Sequence, residues 1–182
     1  MMTSIFLDRD GVLNERIVDG YVTRVEDFRI IDGVLEAMAI FAKYFKHIFI
    51  VTNQQGIGKG LMTEADLNAV HQWFVNQVES TGGRIDRIYH CPKLKSEHSF
   101  MRKPSIGMAL QARREFADVK LHRSVMVGDM ESDMLFGRRA GMQTVLVDGG
   151  NEVARQSPHL VDECFPDLIS YANSLKNKSQ NI

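Results

Sequence analysis

Residues 5–14 read IFLDRDGVLN, so that a short apolar run leads directly into two carboxylates and then a glycine. The apolar run predicts a buried β-strand, and the glycine predicts a turn after it. Asp8 and Asp10 are two positions apart and would share one face of an extended strand end. At the carboxyl edge of a parallel sheet, where open α/β folds bind ligands, one carboxylate could attack a substrate and the other could transfer a proton. A solvated strand end followed by a turn would explain the same residues.

Three further segments favour the catalytic interpretation, because each follows a predicted strand or precedes a predicted helix. They add a hydroxyl, a basic pair and two more acids, which together with the first pair are what phosphoryl transfer requires. In chain order these residues are Thr52, the pair Arg102 and Lys103, and Asp129 with Asp133.

Short apolar runs alternate with amphipathic segments along the chain, which predicts an α/β fold: a Rossmann-like three-layer sandwich with a central, mainly parallel sheet. Thr63 and Asp66 form a predicted capping box at the start of the second long helix. We expect a single domain over residues 1–182. The predicted strands cover residues 4–8, 47–52, 86–90, 124–128 and 143–147, and the predicted helices cover 33–45, 63–80, 105–117, 131–140 and 166–176.

Composition excludes several classes of protein. The chain has 22 basic and 23 acidic residues among 182, so no excess of positive charge favours nucleic acid. Its two cysteines, Cys91 and Cys164, lack the spacing of a disulfide framework, which is typical of a reducing cytoplasm. No apolar run approaches the roughly 20 residues that cross a bilayer. We therefore expect a soluble cytoplasmic monomer that binds a small molecule, not nucleic acid or a membrane.

The ordered motifs resemble those of the haloacid dehalogenase superfamily of phosphotransferases. The resemblance extends over nearly the whole chain and is greatest to the D-glycero-D-manno-heptose 1,7-bisphosphate phosphatases and the related histidinol-phosphate phosphatases. It implies an essentially capless haloacid dehalogenase-like fold, because segments 14–31 and 82–101 are too short for a large cap. The matching words are DRDG at 8–11, DGYV at 19–22, IDGV at 31–34, TNQQGI at 52–57, CP at 91–92, RKP at 102–104 and GDMESD at 128–133.

The residues and the resemblance together predict a role for each position. Asp8 is the expected nucleophile, and Asp10 is the expected acid and base, protonated when substrate binds. The expected phosphate ligands are Thr52, Asn53 and Lys103. The expected substrate contacts are Asp19, Gly20, Tyr21, Gln54, Gln55 and Arg102.

Like charge between Asp8 and a phosphate requires a cation, and Mg²⁺ suits an all-oxygen site. The resemblance implies that the side chains of Asp8 and Asp129 and the backbone carbonyl of Asp10 would hold it. Asp133 could position a metal-bound water or cap the helix that follows, and the sequence does not decide between these roles.

A structural zinc is not expected, although many members of the resembled family hold one. The four matching positions here are Cys91, Lys93, Ser99 and Met101, so one ligand of four remains, and a single thiol cannot form a closed tetrahedral site. Nearby His90 and His98 could replace missing ligands, but isolated histidines in a polar loop are more often simply exposed.

The predicted function is a magnesium-dependent phosphatase that removes the 7-phosphate of D-glycero-D-manno-heptose 1,7-bisphosphate through an aspartyl phosphate. This step leads to nucleotide-activated heptose for surface polysaccharide. Histidinol-phosphate phosphatase is the nearest alternative. A non-catalytic domain that binds a phosphorylated ligand is a second alternative, which the presence of all the predicted catalytic residues disfavours. The sequence does not determine the sugar or its anomer.

Overall fold

The computed structural model describes residues 3–147 and 152–180, with side chains in the second range described as far as residue 177. Its centre is a six-stranded sheet in the order β3-β2-β1-β4-β5-β6, in which every neighbouring pair is parallel. The strands are β1 (Ser4–Leu7), β2 (His47–Asn53), β3 (Arg87–Cys91), β4 (Ser124–Gly128), β5 (Gln143–Val147) and β6 (Glu163–Phe165).

Seven α-helices connect and cover these strands in the described part of the chain. They are α1 (Val34–Tyr44), α2 (Gln55–Gly58), α3 (Glu64–Ser80), α4 (Gly107–Glu115), α5 (Glu131–Arg139), α6 (Glu152–Gln156) and α7 (Leu168–Gln180). The capping box at α3 is confirmed, since the Asp66 amide donates to the Thr63 hydroxyl and the Thr63 amide donates to the Asp66 carboxylate.

Strand side chains alternate between two hydrophobic layers, because successive residues of a strand point to opposite faces. Ile5 and Leu7 of β1 lie in the layer covered by α1, α3 and α7, whereas Phe6 lies in the layer formed with α4 and α5. All three side chains are fully buried. The predicted three-layer α/β sandwich is therefore confirmed.

The structure differs from the sequence-based prediction in its shortest elements. It adds β6, which is only three residues long, and a single helical turn, α2, in a segment for which no helix or strand was predicted. β1 ends at Leu7, one residue before Asp8, although the Asp8 amide still donates to the Val127 carbonyl of β4. No helix in the described residues is both long enough and apolar enough to cross a lipid bilayer.

Candidate active site

Three adjacent strands bring the predicted catalytic residues to one edge of the sheet. Asp8 follows β1, Thr52 lies near the end of β2, and Asp129 follows β4. Since β1 lies between β2 and β4, the carboxyl ends of these strands meet, as the topology of an open parallel sheet requires. All three residues are close to the same cavity, and Asp8 and Thr52 line it directly.

Lys103 joins two of the acids. Its Nζ lies 2.8 Å from Oδ1 of Asp8 and 2.7 Å from Oδ1 of Asp133, and its side chain is 2% exposed. An ammonium has three N–H donors, so after pairing with two carboxylates Lys103 keeps one for a further partner. Because Lys103 also lines the cavity, it can stabilise an anion bound there.

Asp133 caps a helix and pairs with the lysine at the same time. Its Oδ2 accepts a hydrogen bond of 3.1 Å from the Met130 amide at the start of α5, while Oδ1 contacts Lys103. A side chain at Gly128 would place Cβ 2.2 Å from the Cβ of Asp133, so glycine is required for this close approach. Of the two roles left open by the sequence, the structure shows capping directly.

Crowding of carboxylates changes their acidity. Burial raises the pKa of Asp8, and the charges of Asp133 and Asp129 raise it further, although Lys103 opposes them. Burial, with the charge of Asp133, also raises the pKa of Asp129 to about 6, against the opposing effect of Arg16 and Lys103. The ionised forms of both groups would therefore be stabilised by an additional cation.

Asp8, Asp129 and Asp133 form the one candidate metal-binding cluster of acids, histidines or cysteines found among the described residues, with one atom from each within 4.8 Å of the others. An all-oxygen donor set, in which the pKa values of Asp8 and Asp129 are raised, fits a hard divalent cation such as Mg²⁺. The backbone carbonyl of Asp10 is close to Asp129 as well, since one nitrogen of Arg16 contacts both.

Asp10 is held by a set of hydrogen bonds that sequence patterns did not reveal. Both of its oxygens accept from Nη2 of Arg9, at 2.8 and 3.0 Å. Asn14 donates to Oδ1 at 3.0 Å, and Gln54 donates to Oδ2 at 2.9 Å. Burial alone would raise the pKa of Asp10, but the charge of Arg9 and these hydrogen bonds outweigh it and lower the pKa below its usual value. The carboxylate is thus fixed in orientation and favoured in its ionised form.

Arg9 is itself an unusual residue, because its side chain is 1% exposed. Its guanidinium lies 5.7 Å from the centre of the Phe28 ring, and its Nη1 lies 3.3 Å from Nε2 of His71. Burial and the adjacent Arg9 charge lower the pKa of His71 to about 3, so the imidazole is neutral and can accept a hydrogen bond from Arg9. Packing against Phe28 and His71 therefore holds the Arg9 guanidinium against Asp10.

Two predicted ligand residues have structural partners instead. Gln54 was expected to contact substrate, but its side chain is buried and donates to Asp10 and to the Thr52 hydroxyl. Asn53, which is predicted to bind phosphate, lines the cavity, and its side-chain amide donates to the Lys103 carbonyl at 3.1 Å while its oxygen accepts from the Lys103 amide at 3.0 Å. This pair of hydrogen bonds fastens the segment carrying Lys103 to the end of β2.

The other predicted substrate contacts line the same cavity as Asp8 and Lys103. The loop after β1 contributes Asp19, Gly20 and Tyr21, and the Tyr21 hydroxyl accepts a hydrogen bond from Gln55. Arg102 also lines the cavity, and its Nη1 donates to the Lys93 carbonyl. Further side chains that could carry positive charge along this cavity come from Lys59, Lys95 and His98.

Comparison with known proteins agrees with this geometry. The HAD-hydrolase-like family model matches residues 100–176. A D-glycero-alpha-D-manno-heptose-1,7-bisphosphate 7-phosphatase of Campylobacter jejuni is 39% identical over 79% of this chain and 81% of its own. A D-glycero-beta-D-manno-heptose-1,7-bisphosphate 7-phosphatase of Vibrio cholerae is 37% identical over 86% of this chain and 87% of its own. The chain belongs to the heptose 1,7-bisphosphate 7-phosphatase family of the haloacid dehalogenase superfamily.

A solved family structure is similar over almost the full length. The D,D-heptose 1,7-bisphosphate phosphatase from B. bronchiseptica, complexed with magnesium and phosphate, superposes with a TM-score of 0.88 at 31% identity, covering 97% of this chain and 99% of the other. The relatives named for the alpha and the beta anomer have similar identities to this chain, so overall similarity does not separate the two substrates.

We predict that Arg9→Met lowers kcat while changing KM little, because Asp10 loses a charged partner while the predicted substrate contacts Tyr21 and Arg102 are unchanged. Loss of one charge-assisted hydrogen-bonding group corresponds to about 1.5–3 kcal/mol, or roughly a 10- to 100-fold slower turnover. Steady-state kinetics of phosphate release measure the effect. Arg24→Met is the matched control, since Arg24 pairs with Asp27 on the surface and its side chain is 73% exposed. Equal kcat values for the two variants would contradict the positioning role of Arg9.

Proposed function

We propose that this chain is a magnesium-dependent phosphatase that removes the 7-phosphate of D-glycero-D-manno-heptose 1,7-bisphosphate, acting as a single-domain monomer in the cytoplasm. The contact that carries the proposal is that of Lys103 with Asp8, because it places a buried cation beside a carboxylate that lines the cavity. Family membership supports the substrate, and the product would serve nucleotide-heptose synthesis for surface polysaccharide.

In the first step, an oxygen of Asp8 attacks phosphorus, and the bond from phosphorus to the sugar oxygen breaks. That oxygen takes a proton from Asp10, which leaves an aspartyl phosphate and a free sugar hydroxyl. In the second step, Asp10 accepts a proton from water while the water oxygen attacks phosphorus. Inorganic phosphate leaves, and Asp8 is regenerated as a carboxylate.

The proton on Asp10 must come with, or after, the binding of substrate, because its hydrogen bonds in the structure favour the carboxylate. A phosphate dianion close to Asp10 raises the pKa of Asp10 by like-charge repulsion. Asn14 donates to Oδ1 of Asp10 and Gln54 donates to Oδ2. Each oxygen can accept its hydrogen bond whether or not the carboxyl group is protonated, so the group keeps its orientation in both states. The same arrangement suits Asp10 as the base of the second step.

Asp8, Asp129 and the Asp10 carbonyl would hold Mg²⁺, which supplies the positive charge that lets an anionic nucleophile approach an anionic phosphate. Lys103 would neutralise the charge of the phosphoryl oxygens. The Thr52 hydroxyl can donate to the same oxygens, because the hydrogen bond that it accepts from Gln54 leaves its own proton available. Asp133 keeps Lys103 in place.

Asp8→Asn should abolish turnover and leave the fold intact, because the amide has nearly the same shape but is not an anionic nucleophile. We expect phosphate release from heptose 1,7-bisphosphate to fall by roughly a thousandfold or more. Circular dichroism verifies folding, and Asp32→Asn, a change at an exposed acid, is the control with the same chemical substitution. Turnover near the wild-type rate would exclude Asp8 as the nucleophile.

Removal of metal should stop the reaction, since Asp8, Asp129 and Asp133 crowd together without sufficient positive charge. We expect EDTA to abolish phosphate release and added Mg²⁺ to restore it. Elemental analysis of the same purified protein should give much less than one zinc per chain, which tests the separate expectation that Cys91, Lys93, Ser99 and Met101 do not form a zinc site. One tightly bound zinc per chain would refute that expectation, and undiminished activity in EDTA would refute the magnesium requirement.

Arg102 should distinguish substrates with two phosphates from those with one. Arg102 lines the same cavity as Asp8 and Lys103, and a second phosphate bound in this cavity could pair with its guanidinium. Arg102→Ala should therefore lower kcat/KM for heptose 1,7-bisphosphate by about 1.5–3 kcal/mol, and lower that for a small phosphate monoester much less. Arg113→Ala, on the exposed face of α4, is the control.

Equal losses on the two substrates would mean that Arg102 serves the transferred phosphate. The same panel should include both heptose anomers and histidinol phosphate. A higher kcat/KM for histidinol phosphate would transfer the assignment to the alternative phosphatase.

A further inference from the structure

Arg16 contacts the groups that are proposed to bind magnesium. Its Nη2 donates to the Asp10 backbone carbonyl at 2.7 Å and to both carboxylate oxygens of Asp129, at 2.9 and 2.7 Å. The Arg16 side chain is 42% exposed, whereas that of Asp129 is 14% exposed. The cation therefore reaches inward from the loop after β1 to a largely buried acid.

This contact and a metal ion exclude each other. Magnesium binds oxygen at about 2.0–2.1 Å, so an ion bound to the Asp10 carbonyl and the Asp129 carboxylate would overlap the space that Nη2 fills. The backbone is closely fitted around the same point. A Cβ at Gly11 would lie 2.2 Å from Oδ2 of Asp129 and 3.1 Å from Nη2 of Arg16.

The charges explain why Arg16 takes this position. Lys103 is paired with Asp8 and Asp133, so its Nζ contacts do not include Asp129, the third acid of the cluster. Arg16 thus partly supplies the positive charge that the cluster requires.

We propose that Arg16 is an internal competitor of magnesium: its guanidinium binds Asp129 and the Asp10 carbonyl in the metal-free protein and must leave when the metal binds. The inference rests on the proposed metal site. Arg16 consequently weakens metal binding and sets the concentration of Mg²⁺ at which the site fills. Arg16 is part of a loop whose residues 16–22 line the substrate cavity, so the released guanidinium is carried by that loop.

The test is titration of Mg²⁺ alone into the wild type, Arg16→Gln and Arg16→Lys by isothermal titration calorimetry, without substrate. We expect Arg16→Gln to bind Mg²⁺ roughly five- to tenfold more tightly, because the metal no longer displaces a charged partner. Arg16→Lys should lie between the two, since an ammonium on a different stem reproduces only part of the contact. The control is Arg24→Gln, which removes the same charge from the same loop at a residue paired with Asp27.

Thermal unfolding gives a second measurement that does not depend on activity. Arg16→Gln should have a lower Tm than the wild type without metal, and the difference should shrink at saturating Mg²⁺. Mg²⁺ affinity of Arg16→Gln equal to or below that of Arg24→Gln would overturn the inference while leaving the metal site intact. Absence of Mg²⁺ binding to every variant, the wild type included, would overturn the metal site and the inference together. Should Arg16→Gln fail to fold, an affinity of Arg16→Lys no higher than the wild type would overturn the proposal.

Discussion

Electrostatic repulsion among Asp8, Asp129 and Asp133 is the constraint on which the rest of the site depends. Carboxylate atoms of all three lie within 4.8 Å of one another in a largely buried position. Ionising such groups without compensating charge costs several kcal/mol for each, so the fold must supply cations or leave the groups protonated. The raised pKa values of Asp8 and Asp129 show that the compensation is incomplete in the protein alone. A site that binds a cation and then an anionic phosphate benefits from this imbalance.

The sheet topology makes the cluster possible, because β1 lies between β2 and β4 and all strands point the same way. Asp8 and Asp129 become neighbours although they are far apart in sequence. Lys103 comes from the segment that connects β3, at the edge of the sheet, to α4. Asn53, at the end of β2, bridges this distance by binding both the amide and the carbonyl of Lys103. A residue expected to bind phosphate thus positions the lysine that faces it.

The sequence predicted the strands and the acids at their ends because apolar runs followed by polar residues are a local pattern. It did not predict the roles of Arg9, Gln54 and Arg16, since side-chain hydrogen bonds between separate loops have no periodicity. Arg9 was especially hidden, because an arginine between two acids suggests exposure, whereas its side chain is buried. β6 was missed because three residues are too few for an alternating pattern to be recognised. Family resemblance identified which motif residues meet, but only the structure showed what holds them.

The two cations at the cluster, Lys103 and Arg16, differ in their burial and in how each is held. Lys103 is 2% exposed and is fastened through its backbone by Asn53, so its charge stays beside Asp8 throughout the reaction. Arg16 is 42% exposed and is held in the cluster by its guanidinium contacts with Asp129 and Asp10. Displacing the buried Lys103 side chain would leave a cavity and two unpaired acids. Displacing Arg16 requires only that its side chain rotate towards solvent. The positive charge of Lys103 beside Asp8, the proposed nucleophile, is therefore permanent, whereas the positive charge of Arg16 beside Asp129 is the one that the fold leaves exchangeable.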